Sequence, residues 1–118
     1  FIDGVWRVTT HGGSRQSSRE LFEWAREAQE RGAGEILFTS MDHDGTKAGY
    51  ACEQYAALAE MLSIPVIASG GAGSIEHIVD VLSRGRADAA LAASIFHYNE
   101  ISIPELKARL RESNINVR

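Results

Sequence analysis

Ser69-Gly-Gly-Ala-Gly-Ser74 restricts the fold of this chain more than any other stretch. Ile64-Pro-Val-Ile-Ala68 precedes it, short, apolar and β-branched, which reads as a buried strand. Ile75, Ile78, Val79 and Leu82 follow at i, i+3, i+4, i+7, one apolar stripe of a helix, and Ser74 stands where an N-cap belongs. A strand, a glycine loop and a helix start in that order gather unpaired N–H groups at the positive end of a helix dipole. The arrangement suits an anion, a phosphate group above all. The same glycines are as compatible with nothing more than a tight strand-to-helix turn.

The remaining elements repeat this alternation. Val5-Trp-Arg-Val-Thr-Thr10 reads as a short strand or hairpin arm, and His11 to Gln16 as a loop. Ser17-Ser-Arg-Glu20 has the spacing of a capping box ahead of a helix carrying Leu21, Trp24, Ala25 and Ala28, which Gly32 ends. Glu35 to Thr39 is a strand. Ser40 to Tyr50 is a long polar loop holding Asp42, Asp44, Gly45, Lys47 and Gly49, of a length that compact domains keep for function. Tyr55, Leu58, Ala59 and Leu62 mark the second helix, and the third ends near Gly85. Asp88 to Ala92 is a short apolar run leading into Ala93-Ser94. Ser102 and Glu105 repeat the capping spacing, with Pro104 in the first turn and Leu106 and Leu110 continuing the last helix.

Strands about 25–30 residues apart with helices between them pair in parallel through right-handed crossovers. The expected fold is α/β: part of a (β/α)8 barrel, with about three parallel strands and four helices in one domain over residues 1–118. Three strands leave open edges, so the unit is expected to complete itself by association with a second copy. In such barrels the working groups lie at the C-terminal strand ends. Thr39 to Gly49, Ser69 to Ser74 and Ala93-Ser94 all fall there, which favours the anion reading of the glycine loop. A dinucleotide-binding fold is the rival. It lacks support, because the loop does not have G-x-G-x-x-G spacing and no acidic residue ends the following strand.

Composition narrows the classes. The chain has 118 residues, 44% hydrophobic and 24% charged, as expected of a soluble globular domain. A net charge of −4 without a basic cluster argues against nucleic acid, and no apolar run approaches a membrane span. The single cysteine, Cys52, fits a reducing cytoplasm and reads as a half-buried helix residue. His11, His43, His77 and His97 match no zinc spacing, and no metal or other cofactor is expected. His77, in the first turn of its helix, is expected to be neutral. Asp42 and Asp44 read as a solvated turn, Trp24 as packing, and Trp6 as a cover for a sheet edge. The opening Phe1-Ile-Asp-Gly4 holds no initiator Met and no strand, so an upstream segment is expected.

Four segments carry a resemblance: Gly32 to Ser40, Asp44-Gly-Thr-Lys-Ala-Gly-Tyr50, Pro65 to Gly73 with Glu76-His77, and Ala87 to His97. In this order they resemble the cyclase subunit of imidazole glycerol phosphate synthase, a histidine-biosynthesis enzyme, over the C-terminal part of its barrel. The resemblance implies ammonia-dependent conversion of a phosphoribulosyl-formimino aminoimidazole carboxamide ribonucleotide, with ammonia delivered by a partner glutaminase. It implies a phosphate site on Asp44, Gly45, Gly70, Gly71, Ala93 and Ser94. Thr39 and Ser69 would line the substrate cavity, with Thr10 a looser neighbour. Glu35 would belong to a charged ring at the opposite end that gates ammonia. Both catalytic aspartates of the family match positions outside this chain, and Asp3 matches a turn residue. Ala51 stands where the family usually has an aspartate, a departure expected to alter hydrogen bonding on the substrate side. Activity is then expected only with an N-terminal half supplied by another chain. The alternative is a self-associating, non-enzymatic phosphate-binding half barrel, and glutaminase docking is not expected for this chain alone. A truncated or engineered piece with no role of its own is a third reading.

Overall fold

The computed structural model describes residues 1–118. In chain order the elements are β1 (Arg7–Thr10), β2 (Arg15–Glu20), α1 (Leu21–Glu30), β3 (Ile36–Thr39), α2 (Cys52–Met61), β4 (Val66–Ser69), α3 (Ile75–Ser83), β5 (Ala89–Ala90), α4 (Ser94–His97) and α5 (Ile103–Glu112).

The N-terminal part departs most from the sequence pattern. Asp3 and Gly4, both at positive φ (49° and 77°), close a tight turn in which Ile2 and Val5 exchange hydrogen bonds of 2.8 and 3.0 Å. β1 and β2 then form an antiparallel hairpin with Thr10 opposite Arg15. Ser17 to Glu20 is therefore a strand arm and not a capping box. The Ser17 hydroxyl donates across the hairpin to the Val8 carbonyl at 2.8 Å. Glu20 caps α1 instead, its carboxylate accepting the N–H groups of Phe22 and Glu23, both at 3.1 Å. Gly32, at φ 100°, ends α1 as expected.

Three strands form the sheet, in the order β3-β4-β5 and all parallel, with Thr39 beside Ser69 and Ile67 beside Ala89. Each crossover helix packs on the next, α1 on α2, α2 on α3 and α3 on α5, so the helices form one layer. Sequential strand order with one helical layer is barrel winding; a doubly wound sheet carries helices on both faces. A fifth helix, α4, was not apparent from sequence, because four residues are too few to show a period.

Strand alternation sorts the side chains. Val66 and Ala68 point into the helical layer and are fully buried, with Ile36 and Phe38 beside them. Leu37 and Leu91 point to the other face and remain 54% and 44% exposed. β3 has no neighbour along its outer edge. Beside that edge lies a cavity of about 520 Å³ bounded by the hairpin, α1 and β3. Trp6 packs there, edge-on to Phe38 at 6.0 Å and stacked on His43 at 6.3 Å. Ser74 and Ser102 cap α3 and α5 as the sequence indicated, accepting the N–H groups of His77 and Glu105, each at 3.3 Å. No helix is long and apolar enough to cross a membrane.

Candidate functional site

Because β3, β4 and β5 run in parallel, their C-terminal ends share one edge, and the segments after Thr39, Ser69 and Ala90 leave the sheet together. Residues 40–50 fold back on themselves: the Asp44 N–H donates to the Ser40 carbonyl at 2.8 Å, and the Ser40 hydroxyl meets His43 Nδ1 at 2.7 Å. This loop lies directly on the glycine loop. The Gly49 N–H donates to the Gly71 carbonyl at 2.8 Å. A β-carbon on Gly71, at φ 114°, would lie 2.0 Å from the Gly49 carbonyl oxygen. One on Gly73 would lie 2.2 Å from the Lys47 carbonyl oxygen. The glycines are thus required by the approach of a second stretch of backbone as well as by the turn itself. An ion pair of 2.6 Å from Lys47 to Glu100 ties the long loop to the segment after α4.

What this edge offers is hydrogen-bond donors. The N–H groups of Gly45, Gly70, Gly71, Ala93 and Ser94 donate to no atom of the chain. Gly70 and Gly71 are buried residues, and a buried backbone N–H is nearly always paired. The Asp44 N–H is occupied, so in that pair Gly45 holds the free donor; the exposed Asp44 abuts Gly70 through its α- and β-carbons. Thr39 and Ser69 are register neighbours, two residues on from Leu37 and Ile67, and so share the face of the sheet away from the helices, with Thr39 exposed and Ser69 buried. Thr10 lies in the hairpin, where its hydroxyl makes a long 3.5 Å bond to the Arg15 carbonyl and meets His11 Nδ1 at 3.1 Å. The hairpin tip touches the same edge through Met41, whose sulfur is 3.4 Å from the Thr9 hydroxyl. Glu35 precedes β3 at the opposite edge, exposed.

Two tyrosines at the start of α2 hold the strand ends in place. The Tyr55 hydroxyl, fully buried, reaches the carbonyls of Phe38 at 2.5 Å and Ser69 at 2.8 Å and accepts the Ser69 N–H at 3.0 Å. The Tyr50 hydroxyl donates to the Leu91 carbonyl at 2.8 Å. Between them they touch the C-terminal ends of all three strands. Burial pushes the Tyr50 hydroxyl up to about 12 and raises that of Tyr55 further. In the sequence Tyr55 is one position of an apolar helical stripe; the signal it carries is that a tyrosine in such a stripe must find a partner for its hydroxyl.

Ala51 is the N-cap residue of α2, buried and without a side-chain cap. An aspartate here could accept N–H groups of the first turn of α2, whose start lies on the same edge as the strand ends. A cavity of about 390 Å³ opens beside it, with His43 and Arg84 on its walls. Cys52 is buried in the first turn of α2, deeper than expected. The four histidines lie on four different segments: His11 at the hairpin tip, His43 in the long loop, His77 in α3 and His97 at the end of α4. His77 Nδ1 accepts the Gly73 N–H at 3.1 Å, a bond that requires an unprotonated nitrogen.

Known proteins match this arrangement. The chain is 59% identical over 113 residues to the imidazole glycerol phosphate synthase subunit HisF of Phocaeicola vulgatus, covering 96% of this chain and 45% of that protein. It is 58% identical over 117 residues to that of Flavobacterium johnsoniae, covering 99% and 47%. To that of Geobacillus thermodenitrificans it is 58% identical over 115 residues, covering 98% and 46%. The chain therefore spans about half the length of the curated relatives it matches, and its three-stranded α/β unit corresponds to half of a (β/α)8 barrel. Residues 2–102 match the histidine biosynthesis protein family. With the parallel sheet, the stacked loops and these matches in hand, the chain belongs to the histidine biosynthesis protein family and is similar to the HisF cyclase subunit.

Proposed function

We propose that residues 1–118 act as one half-barrel unit, the C-terminal half of an imidazole glycerol phosphate synthase cyclase. It binds one phosphate end of the substrate, a phosphoribulosyl-formimino aminoimidazole carboxamide ribonucleotide. The observation that carries this reading is the pair of free N–H groups on buried Gly70 and Gly71, with those of Gly45, Ala93 and Ser94 on the same sheet edge. Backbone donors fixed by packed loops hold an anion without needing a cationic side chain. Thr39 and Ser69 would face the substrate body from the uncovered side of the sheet, and Thr10 would approach it from the hairpin. Glu35 would act at the opposite end, where ammonia enters in the family. The acid and base of the cyclisation lie outside this chain, so turnover requires an N-terminal half. Each such group contributes about 10²–10⁴-fold.

The uncovered apolar face and the open edge of β3 favour a second reading, in which two copies close on each other and bind phosphate without catalysis. One set of measurements separates them. Ammonia-dependent cyclisation is followed with this chain alone and mixed with an N-terminal half barrel; turnover only in the mixture supports the first reading. A stable dimer that binds phosphate and never turns over, alone or mixed, supports the second. Amide resonances of Gly45, Gly70, Gly71 and Ser94 should shift on phosphate addition in either case, and unchanged resonances refute the phosphate site itself.

A further inference from the structure

We propose that His77 is a positioning residue for the anion-binding edge, acting through its neutral imidazole; this rests on the reading of that edge as a phosphate site. Three contacts place it where the two loops meet. Its Nδ1 accepts the Gly73 N–H at 3.1 Å. Its own N–H donates to the Ser74 hydroxyl at 3.3 Å, which winds the first turn of α3 around the end of the glycine loop. Its ring covers Gly49, where a β-carbon would lie 3.6–3.8 Å from three ring atoms. Gly49 in turn donates to Gly71, a buried residue whose own N–H is free. The ring thus clamps the long loop and the glycine loop together, and the directions of the free donors depend on that stack.

A proton on Nδ1 would set a donor against the Gly73 N–H. The Gly73 bond is then lost, the ring turns, and its cover over Gly49 goes with it. The charged and titratable groups on the elements packed around His77 are Glu76 and Asp80 on its own helix; Asp42, His43, Asp44, Lys47 and Tyr50 in the long loop; Cys52, Glu53, Tyr55 and Glu60 in α2; and Glu105, Lys107, Arg109, Arg111 and Glu112 in α5. Glu76 is held by Arg109 at 3.0 Å and Lys47 by Glu100 at 2.6 Å, and none of these groups bonds to the ring. The positioning role and simple charge attraction predict opposite signs. A cation arriving near the edge should tighten anion binding, whereas loss of the clamp should weaken it.

Sulfate is the probe, because its own charge stays constant between about pH 8 and about pH 5. Sulfate affinity of the full chain should fall about tenfold over that range, as expected for the loss of one ordering hydrogen bond. His77→Asn keeps an acceptor oxygen and has no proton to gain; it should bind as the parent does near pH 8 and show no change in acid. His77→Phe keeps the volume and loses the acceptor; it should bind weakly at both pH values. Hydrogen exchange of the Gly73 amide near pH 8 should be slow in the parent and in His77→Asn, and fast in His77→Phe. Parent affinity that holds or rises in acid, or His77→Phe binding like the parent, overturns the positioning role and leaves the site standing. Absence of any sulfate or phosphate binding by the parent overturns the site and the role of His77 together.

Discussion

Tyr55→Phe tests how the strand ends are held. The hydroxyl has one proton, so it donates to one of the carbonyls of Phe38 and Ser69 at a time while accepting the Ser69 N–H. The Ser69 carbonyl keeps a second partner, the Ser40 N–H at 3.2 Å. Removing the oxygen therefore orphans one buried N–H and takes a donor from one buried carbonyl, while the ring stays in place against Phe38 at 5.1 Å. An unsatisfied buried group costs about 1–3 kcal/mol and a lost net hydrogen bond about 1 kcal/mol, so the sum is about 2–4 kcal/mol. For a chain of this size each kcal/mol lowers Tm by about 4 °C. Urea unfolding followed by circular dichroism, at one protein concentration, measures the loss. Tyr50→Phe is the control, because it removes only one donor, from the Leu91 carbonyl, and should cost about 1 kcal/mol. If Tyr55→Phe costs no more than Tyr50→Phe, the hydroxyl does not bridge the strand ends and the reasoning fails.

Alkaline titration gives a related result. Tyr50 and Tyr55 are raised in the folded chain from an unfolded value of about 10, so stability is full below that pH and lost above it. The slope should approach about 1.4 kcal/mol per pH unit for each tyrosine, and it should shrink in Tyr50→Phe; an unchanged slope in that variant removes Tyr50 from the account. Ala51→Asp supplies the missing cap of α2 with room in the adjoining cavity, and should stabilise by about 1 kcal/mol in the same urea assay; a loss of stability counts against Ala51 as the N-cap. Gly71→Val should destabilise by at least about 2 kcal/mol, since it combines a forbidden φ with a collision against Gly49. This variant reports on loop packing before it reports on anion binding, and wild-type stability would refute the stacking of the two loops.

What the sequence made legible was whatever is local. Ser74 and Ser102 act on N–H groups three residues ahead, so spacing alone found them. Ser17-Ser-Arg-Glu20 has the same spacing and failed, because a strand ten residues earlier competes for the same backbone. The alternation of β3, β4 and β5 with helices was readable, and with it the edge on which the candidate residues gather. The reason Gly71 and Gly73 must be glycine was not readable, because the atoms that exclude a side chain belong to Gly49 and Lys47. The same holds for the Tyr55 hydroxyl, whose partners are carbonyls 17 and 14 residues away. Glu35 and Thr10 entered as site residues by resemblance alone, and nothing in their own surroundings would have selected them.

The two faces of the sheet answer to different authorities. Val66 and Ala68 are held by helices of this same chain, so any change there is felt as soon as the chain folds. Leu37, Ile67, Ala89 and Leu91 look outward, and what limits their identity is not among these residues. A saturating substitution screen scored on folding of the chain alone would therefore find one face intolerant and the other permissive. Scored on a function that needs the face covered, the same screen would find both intolerant. The difference between the two maps, position by position along alternate residues of each strand, would trace the footprint of whatever lies across the sheet.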